Sequence, residues 1–230
     1  MGDTVEFAVD GTTASGYLVS PPGGSGPGVI VIQEWWGLSP SIKEMADRLA
    51  ADGFVALAPD LYHGEVAGHD EMDKAGRLMR GLPPDRAARD MSGAVDYLAD
   101  HPAVTGEGLG VMGFCMGGML TLLLAAARPD RIRAAVPFYG FPQPGGEPDW
   151  EPMTAAVQGH MAGVDDHFTP DAARALEAKL RSAGKEVTFT IHEGAGHAVM
   201  GPHNALGTLD EKLAAEVWPE ATAFLHHKLD

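Results

Sequence analysis

The sequence has little that would direct the chain to nucleic acid or to a lipid surface. It carries 16 Lys and Arg against 32 Asp and Glu, a formal net charge of −16. Such an acid excess repels phosphate backbones and anionic lipid headgroups, so we expect no nucleic acid and no membrane among the partners. The 230 residues contain no internal repeat. Their number fits a single domain over residues 1–230.

Cysteine is almost absent, since Cys115 is the single one in the chain. One cysteine cannot form an internal disulfide, so no oxidising compartment is required. The first residues, MGDTVEFAVDGTT, lack the basic start and apolar core of a secretory signal. Glu6 stands where the myristoylation pattern needs Ser or Thr. We therefore expect a cytoplasmic protein, and the sequence leaves its oligomeric state open between monomer and homodimer.

Two common hydrolytic motifs are also missing. There is no G-x-S-x-G, the turn that carries a serine nucleophile. Ten histidines are present, and several lie near acidic residues, but none belongs to H-E-x-x-H or to another recognised metal spacing. The histidines that raise the question of a metal are His160, His167, His192 and His203. We expect no metal site and no cofactor.

Residues 109–127, LGVMGFCMGGMLTLLLAAA, form a predominantly apolar stretch without a charged residue. A run of about this length could cross a membrane. Four glycines within the run, and Arg128-Pro129-Asp130 directly after it, instead favour a buried strand, a sharp turn and a buried helix.

The centre of this run, residues 113–118, has the form G-x-C-x-G-G. The pattern is typical of the nucleophile elbow, with sulfur in place of the serine oxygen. Gly113 and Gly117 would leave room for the neighbouring strand and helix, and the helix N-terminus would stabilise a thiolate at Cys115. The alternative is that Cys115 is a small buried apolar residue.

Strand and helix patterns alternate along the rest of the chain. Strands are predicted in a hairpin over residues 5–18 and at 29–32, 54–58, 109–113, 134–138, 155–161 and 187–191. Helices are predicted at 40–52, 85–100, 170–182 and 209–227, with a further helix and loop within 60–81. This alternation indicates an α/β fold with a mostly parallel central sheet and helices on both faces. Functional sites in such sheets form at the carboxyl ends of the strands.

A cysteine nucleophile needs a base, because a free thiol is only a few per cent ionised at neutral pH. His197 follows a strand in the glycine-rich stretch EGAGH, and Asp166 follows another in GVDDHF. The order nucleophile, acid, histidine is that of the α/β-hydrolases. The alternatives are that His197 is a surface residue and that Asp165 or Asp166 only caps the next helix.

Five stretches together resemble the dienelactone hydrolase (carboxymethylenebutenolidase) family, a cysteine branch of the α/β-hydrolase fold. They are VIVIQEWWG at 29–37, APDLY at 58–62, GFCMGG at 113–118, HMAGVDDHFTP at 160–170 and EGAGH at 193–197. The resemblance implies a hydrolase that acts on carboxylic ester bonds of small esters or lactones, through a Cys-His-Asp triad and an acyl-enzyme. Two alternatives stay open: a non-catalytic small-molecule-binding protein on the same fold, or an acyltransferase with the same triad.

The resemblance also implies individual roles. Cys115 would be the nucleophile, His197 the base and Asp166 its orienting acid, because the D-H-F of the family matches residues 166–168. Asp165 is the alternative acid. Glu34 would contact the resting thiol and help to deprotonate it when substrate binds. The backbone N–H groups of Met116 and Trp35 would form the oxyanion hole.

The sequence departs from the family at the substrate. The family binds a substrate carboxylate partly through an arginine shortly after the histidine, but no Arg or Lys occurs here from position 186 to 211. Arg77 and Arg80 are the candidates for another substrate arginine. Trp36 and Tyr139, together with Trp35 and Phe141, are candidates for an aromatic pocket or for core packing.

Overall fold

A computed structural model of the protein describes residues 2–230 and has an eight-stranded sheet at its centre. The strands are β1 (Asp3–Val9), β2 (Thr12–Val19), β3 (Gly26–Ile32), β4 (Val55–Pro59), β5 (Val104–Phe114), β6 (Ile132–Phe138), β7 (Ala156–Val164) and β8 (Val187–Gly196). The helices are α1 (Pro40–Ala51), α2 (Met72–Arg80), α3 (Pro84–Ala99), α4 (Met116–Ala127), α5 (Pro170–Ser182) and α6 (Glu211–Leu229).

The strand order across the sheet is β1-β2-β4-β3-β5-β6-β7-β8. β2 pairs antiparallel with both β1 and β4, and every other neighbouring pair is parallel. The turn between β1 and β2 contains Asp10 at φ 39° and Gly11 at φ 81°, the left-handed conformations that a tight hairpin requires. The predicted α/β class with a mostly parallel sheet is confirmed.

Helices cover both faces of the sheet. α1 and α6 pack on one face, and α3, α4 and α5 pack on the other. α1 contributes Ile42, Met45, Ala46 and Leu49 to the core, the spacing of a single helical face. Because the central strands are covered twice, all residues of β3 and of β4 are buried.

Two strands extend five residues beyond the ends that the hydrophobic pattern predicted. β5 begins at Val104 rather than at 109, and β8 continues to Gly196 rather than ending at 191. The added residues are mostly polar or glycine and partly exposed, so they carry no apolar signal. Their backbones still pair with neighbouring strands, and in β8 the extension leads the chain directly to His197.

The turn after β5 has the geometry of a nucleophile elbow. The strand ends at Phe114, the helix begins at Met116, and Cys115 between them has φ 57° and ψ −118°. A Cβ atom at Gly113 would collide with the backbone of Gly117, and one at Gly117 would collide with the carbonyl oxygen of Ile32. Only glycine at these two positions lets the helix approach the sheet closely enough to hold this turn.

Gly117→Ala should therefore destabilise the protein, by about 1 to 3 kcal/mol, as overpacking of a close backbone contact does. The matched control is Gly76→Ala in α2, where an added Cβ meets only the end of the Arg80 side chain. That control should be neutral or stabilising by up to about 1 kcal/mol, because alanine favours a helix. Urea unfolding measures both, and equal effects of the two substitutions would contradict the packing argument.

Candidate active site

The structure brings Cys115 and His197 into direct contact. The Sγ atom of Cys115 lies 3.1 Å from Nε2 of His197. Cys115 stands at the carboxyl end of β5, and His197 directly follows β8. Residues 82 positions apart in the chain thus meet at the same edge of the sheet, where parallel strands end.

The other ring nitrogen of His197 is bound by Asp165, not by Asp166. Oδ2 of Asp165 lies 2.6 Å from Nδ1 of His197. The Asp165 carboxylate is buried and also accepts the N–H groups of His167 and Phe168, at 2.8 and 3.0 Å. Asp166 is exposed. The contact predicted for Asp166 is therefore corrected to Asp165, because the tight turn after β7 directs the first carboxylate inward and the second to solvent.

These contacts change the proton affinity of both partners. Burial alone would lower the pKa of His197, but the hydrogen bonds to Asp165 and Cys115 raise it to about 10. Burial alone would raise the pKa of Asp165, but the bonds from His197, Phe168 and His167 bring it below its usual value. The pair favours an anionic carboxylate beside a ring that readily holds a second proton.

Three further side chains contact His197, two at its ring and one at its backbone. The Phe168 ring stacks on it at 5.8 Å between centroids, and Tyr139 meets it edge-on at 5.3 Å. Thr208 donates its hydroxyl hydrogen to the carbonyl oxygen of His197. The positions of Phe168 and Thr208 were not predicted, since an aromatic or a threonine in a loop carries no specific sequence signal.

Trp35 and Met116 are the residues whose backbone N–H groups were predicted to form the oxyanion hole. Both line the same cavity as Cys115. Met116 is the first residue of α4, so its N–H has no acceptor one turn earlier in the helix. The Tyr62 hydroxyl donates to the carbonyl oxygen of Trp35 at 3.2 Å and orients that loop. The role of the two N–H groups stays a prediction.

Glu34 does not make the contact predicted for it. Its Oε2 atom lies 2.9 Å from Nε2 of His203, and within residues 2–230 no hydrogen bond joins it to Cys115. Nδ1 of His203 accepts the N–H of Ala205 at 3.0 Å, so the proton of a neutral ring is on Nε2 and points at Glu34. Both side chains are nearly inaccessible, His203 at 2% and Glu34 at 4% exposed, so the hydrogen-bond partner of this buried carboxylate is His203.

His203 was considered only as a possible metal ligand, and its pairing with Glu34 was missed. Its one signal is a histidine six residues after His197, in a stretch without Arg or Lys. The His69 ring stacks on His203 at 4.2 Å, and the pKa of His69 is lowered by burial and by that neighbour. The edge of Trp36 meets His69 at 5.2 Å.

Two predicted pocket residues therefore belong to the interior. Trp36 is buried against this histidine cluster and does not line the cavity at Cys115. Tyr139 is also buried, with an unpaired hydroxyl, and does not line it either. Phe141 is buried and does not line the cavity. Its ring makes an edge-on contact with Phe168, which does line it. Core packing, the alternative left open, is what the structure has for these three aromatics, whereas Trp35, the fourth candidate, lines the cavity.

The cavity that contains Cys115 and His197 has a volume of about 820 Å³. Side chains from α2, α3 and α4 form most of its wall, and no Asp, Glu, Lys or Arg lines it. Arg77 lines a second cavity of about 440 Å³, together with Lys74 and Arg86. Arg80 is exposed and lines neither. The prediction that Arg77 and Arg80 lie in the substrate pocket is therefore wrong, because the face of α2 toward Cys115 presents methionines.

Comparison with known proteins identifies the family. The model of the "Dienelactone hydrolase family" matches residues 14–229. The chain belongs to this family. It is 37% identical over its whole length to "Protein usf" of Aquifex pyrophilus, which it also covers completely. It is 34% identical to a "Putative carboxymethylenebutenolidase" of Aquifex aeolicus, with 97% of each chain covered.

A solved structure agrees. The "Putative Dienelactone Hydrolase" of Klebsiella pneumoniae superposes with a TM-score of 0.81 at 25% identity, covering 98% of this chain and 99% of its own. The family resemblance that the motifs indicated is therefore confirmed, and so is the predicted α/β-hydrolase fold. The protein is a dienelactone hydrolase-like hydrolase. Within residues 2–230, no helix is both long and apolar enough to cross a membrane.

The contact between Asp165 and His197 predicts a titration that distinguishes the two aspartates. The measurement is best made in a Cys115→Ala background, where no thiol titrates. Nuclear magnetic resonance should give a His197 pKa above the ordinary value of about 6.5. Asp165→Asn should lower that pKa because the carboxylate partner is lost, and Asp166→Asn, the matched control, should leave it unchanged. The reverse pattern would show that Asp166 is the partner.

The raised pKa of His197 also predicts how the free energy of unfolding depends on pH. A ring whose pKa is raised on folding contributes stability that is complete below pH 6.5 and is lost as pH rises through the folded pKa. In the Cys115→Ala background, the free energy of unfolding should therefore fall from pH 7 to 9 more steeply than after the additional Asp165→Asn change. Urea unfolding at successive pH values measures both slopes, and parallel slopes would contradict the assignment.

Proposed function

We propose that the protein hydrolyses carboxylic esters or lactones through a triad of Cys115, His197 and Asp165. The observation that carries this proposal is the continuous line of contacts from Sγ of Cys115, through both ring nitrogens of His197, to the buried carboxylate of Asp165. The strained backbone of Cys115 supports it, because positive φ at a non-glycine residue is concentrated at functional sites.

In the first half of the reaction, the thiol proton passes to Nε2 of His197 and Sγ attacks the carbonyl carbon. A carbon–sulfur bond forms, and the carbonyl oxygen takes the electron pair as an oxyanion. The N–H groups of Trp35 and Met116 would stabilise it, a contribution of about 3 to 4 kcal/mol for such a donor. The intermediate then collapses, the bond to the alcohol oxygen breaks, and His197 returns its proton to that oxygen.

In the second half, water releases the acyl group. His197 takes a proton from a water molecule, the hydroxide oxygen attacks the thioester carbonyl, and the carbon–sulfur bond breaks. The acid leaves, and the sulfur recovers a proton from His197. Part of the raised pKa of His197 comes from Cys115. That part is lost once the sulfur is acylated, so the ring becomes a better proton donor during the reaction.

Asp165 supports both halves without exchanging a proton. It accepts the hydrogen on Nδ1 of His197, which leaves Nε2 as the atom facing the sulfur. It also balances the positive charge of the protonated ring in a largely apolar site. The lowered pKa of Asp165 is consistent with this role, because the carboxylate then stays ionised.

Cys115→Ala should abolish turnover of 4-nitrophenyl acetate while leaving the unfolding transition in place. Asp165→Asn should reduce kcat by about 10³ to 10⁴, because the ring loses its tautomer and its charge partner. Asp166→Asn is the matched control and should retain wild-type kcat. Intact-protein mass spectrometry should show an acylated Cys115 in the wild-type protein.

Three outcomes would contradict this function. Turnover that survives Cys115→Ala would remove the nucleophile. Tight ligand binding without an acylated protein would indicate a binding protein instead of an enzyme. Transfer of the acyl group mainly to an added alcohol or thiol, in preference to water, would indicate an acyltransferase with the same triad.

We assign Glu34 as a positioning residue rather than as a partner of the thiol. It directly precedes Trp35 in the loop, its carbonyl oxygen accepts the N–H of Gly37 at 3.2 Å, and its side chain is held by His203. These bonds hold the loop that carries the Trp35 N–H at the place where the oxyanion develops.

His203→Phe keeps a ring in this position but removes its hydrogen bond to Glu34. It should lower kcat for 4-nitrophenyl acetate by more than it changes KM, because the transition state depends on the loop more than ground-state binding does. His69→Phe is the control, since it retains the stacking and leaves the bond to Glu34 intact. Equal effects of the two substitutions, or an effect on KM alone, would contradict the positioning role.

A further inference from the structure

The outward side of α4 is unusual for a helix that covers a sheet. Its sequence, MGGMLTLLLAAA, contains no charged residue. A helix at the surface normally presents polar side chains away from the core, and one that is apolar all round is normally buried. Here Met119, Leu123 and Ala127, spaced four residues apart on one side, still reach solvent. The helix therefore keeps an apolar stripe that the fold does not cover.

This stripe forms the floor of the cavity at the nucleophile. The cavity begins at Cys115 and His197 and is lined by α4 residues from Met116 to Ala127. Eleven residue steps of α-helix correspond to about 16 Å. Met79 of α2 and Met91 of α3 contribute to the opposite wall. The space is a groove with the reactive sulfur at one end.

The rim of the groove exposes large apolar side chains. Within residues 2–230 four large hydrophobic residues are exposed, and three of them line this groove: Met72 at 40%, Met79 at 39% and Leu206 at 42%. A contiguous exposed apolar surface of this kind marks a binding site. Methionines in the wall suit a flexible apolar ligand, because their unbranched side chains adapt to its shape.

Apart from His197 and the exposed His167, the groove offers no charged partner to a substrate. Its lining contains no Asp, Glu, Lys or Arg, so a carboxylate placed along α4, away from those two rings, would be buried without a partner. Arg77 cannot supply one from its place in the second cavity. Met72 and Met79 lie two helical turns apart on one side of α2, and Arg77 projects from another side of the same helix.

We propose that the groove binds the unbranched hydrocarbon chain of an uncharged ester, laid along α4 with the ester carbonyl at Cys115. This inference rests on the proposed function and names its substrate class: esters with a medium-length chain, in preference to small carboxylated lactones. The hydrocarbon chain in the groove belongs to either the acyl part or the alcohol part of the ester. The same apolar contacts serve either.

The first test compares two series of esters. One is 4-nitrophenyl acetate, butyrate, octanoate and decanoate, and the other is the acetates of butanol, octanol and decanol. In at least one series kcat/KM should rise by up to about fourfold per added methylene until the groove is filled. The series that rises identifies the part of the ester in the groove. Turnover of the acetate without a rise of kcat/KM in either series would contradict the proposed binding of a hydrocarbon chain in the groove. It would not contradict the proposed hydrolase activity.

Tryptophan substitutions along α4 test the position of the chain. Leu123→Trp would obstruct the groove midway and Ala127→Trp at its far end, so each should shorten the preferred chain, Leu123→Trp by more. In each variant, turnover of 4-nitrophenyl acetate should fall by less than turnover of the decyl or decanoyl esters, because the short ester does not need this part of the groove. The matched control is Ala178→Trp, at an exposed position of α5 outside the groove, and it should not alter chain-length preference. Unchanged preference in Ala127→Trp, the variant at an exposed position, would contradict the proposal even if Leu123→Trp fails to fold.

A binding measurement is independent of catalysis. Calorimetry with the Cys115→Ala variant should show binding of decan-1-ol, weaker binding of decanedioate, which must place one carboxylate away from His197, and loss of decan-1-ol binding when Ala127→Trp is added. Equal or stronger binding of decanedioate, or no binding of the alcohol, would overturn the inference. Sedimentation should show no dimer that Ala127→Trp dissociates. Such a dimer would mean that a second copy of the chain covers the groove.

Discussion

The close approach of α4 to the sheet is the constraint on which the site depends. Gly117 lies against the backbone of Ile32, and Gly140 lies against the carbonyl oxygen of Cys115, at distances that no side chain would allow. This packing holds Cys115 in a conformation that L-residues otherwise avoid. The strain places the sulfur at the edge of the sheet, and the buried contacts around the turn compensate its cost.

The strands around this turn end in the same manner. Tyr139 follows β6 at φ 36°, and Ala198 lies just after β8 at φ 61°. With Cys115, three non-glycine residues in the left-handed region thus surround His197. Each turns the chain sharply as it leaves the sheet, so that rings and carboxylate converge on one point. Backbone strain is concentrated where the chemistry requires fixed geometry.

The ring of His197 lies between a charged carboxylate and an apolar groove. The ionised Asp165 and the imidazole form one end of the site, and the uncharged groove along α4 forms the other. With little polar surface nearby, the interaction between carboxylate and ring is less screened than in water. The buried pair of Glu34 and His203 lies next to Trp35, which lines the same cavity. This architecture is consistent with the proposed activation of the thiol and with the proposed preference for an uncharged ester.

The sequence by itself determined the fold class, most strand and helix positions, the elbow and the pairing of Cys115 with His197. These follow from local signals, namely apolar periodicity, glycine spacing and motif order, which act within a few residues. The tertiary structure alone decided that Asp165 faces His197, that Glu34 binds His203, and that Arg77 and Trp36 lie outside the groove. Adjacent residues in a turn point in different directions, and a buried carboxylate takes the nearest donor in space. Neither is encoded by spacing along the chain.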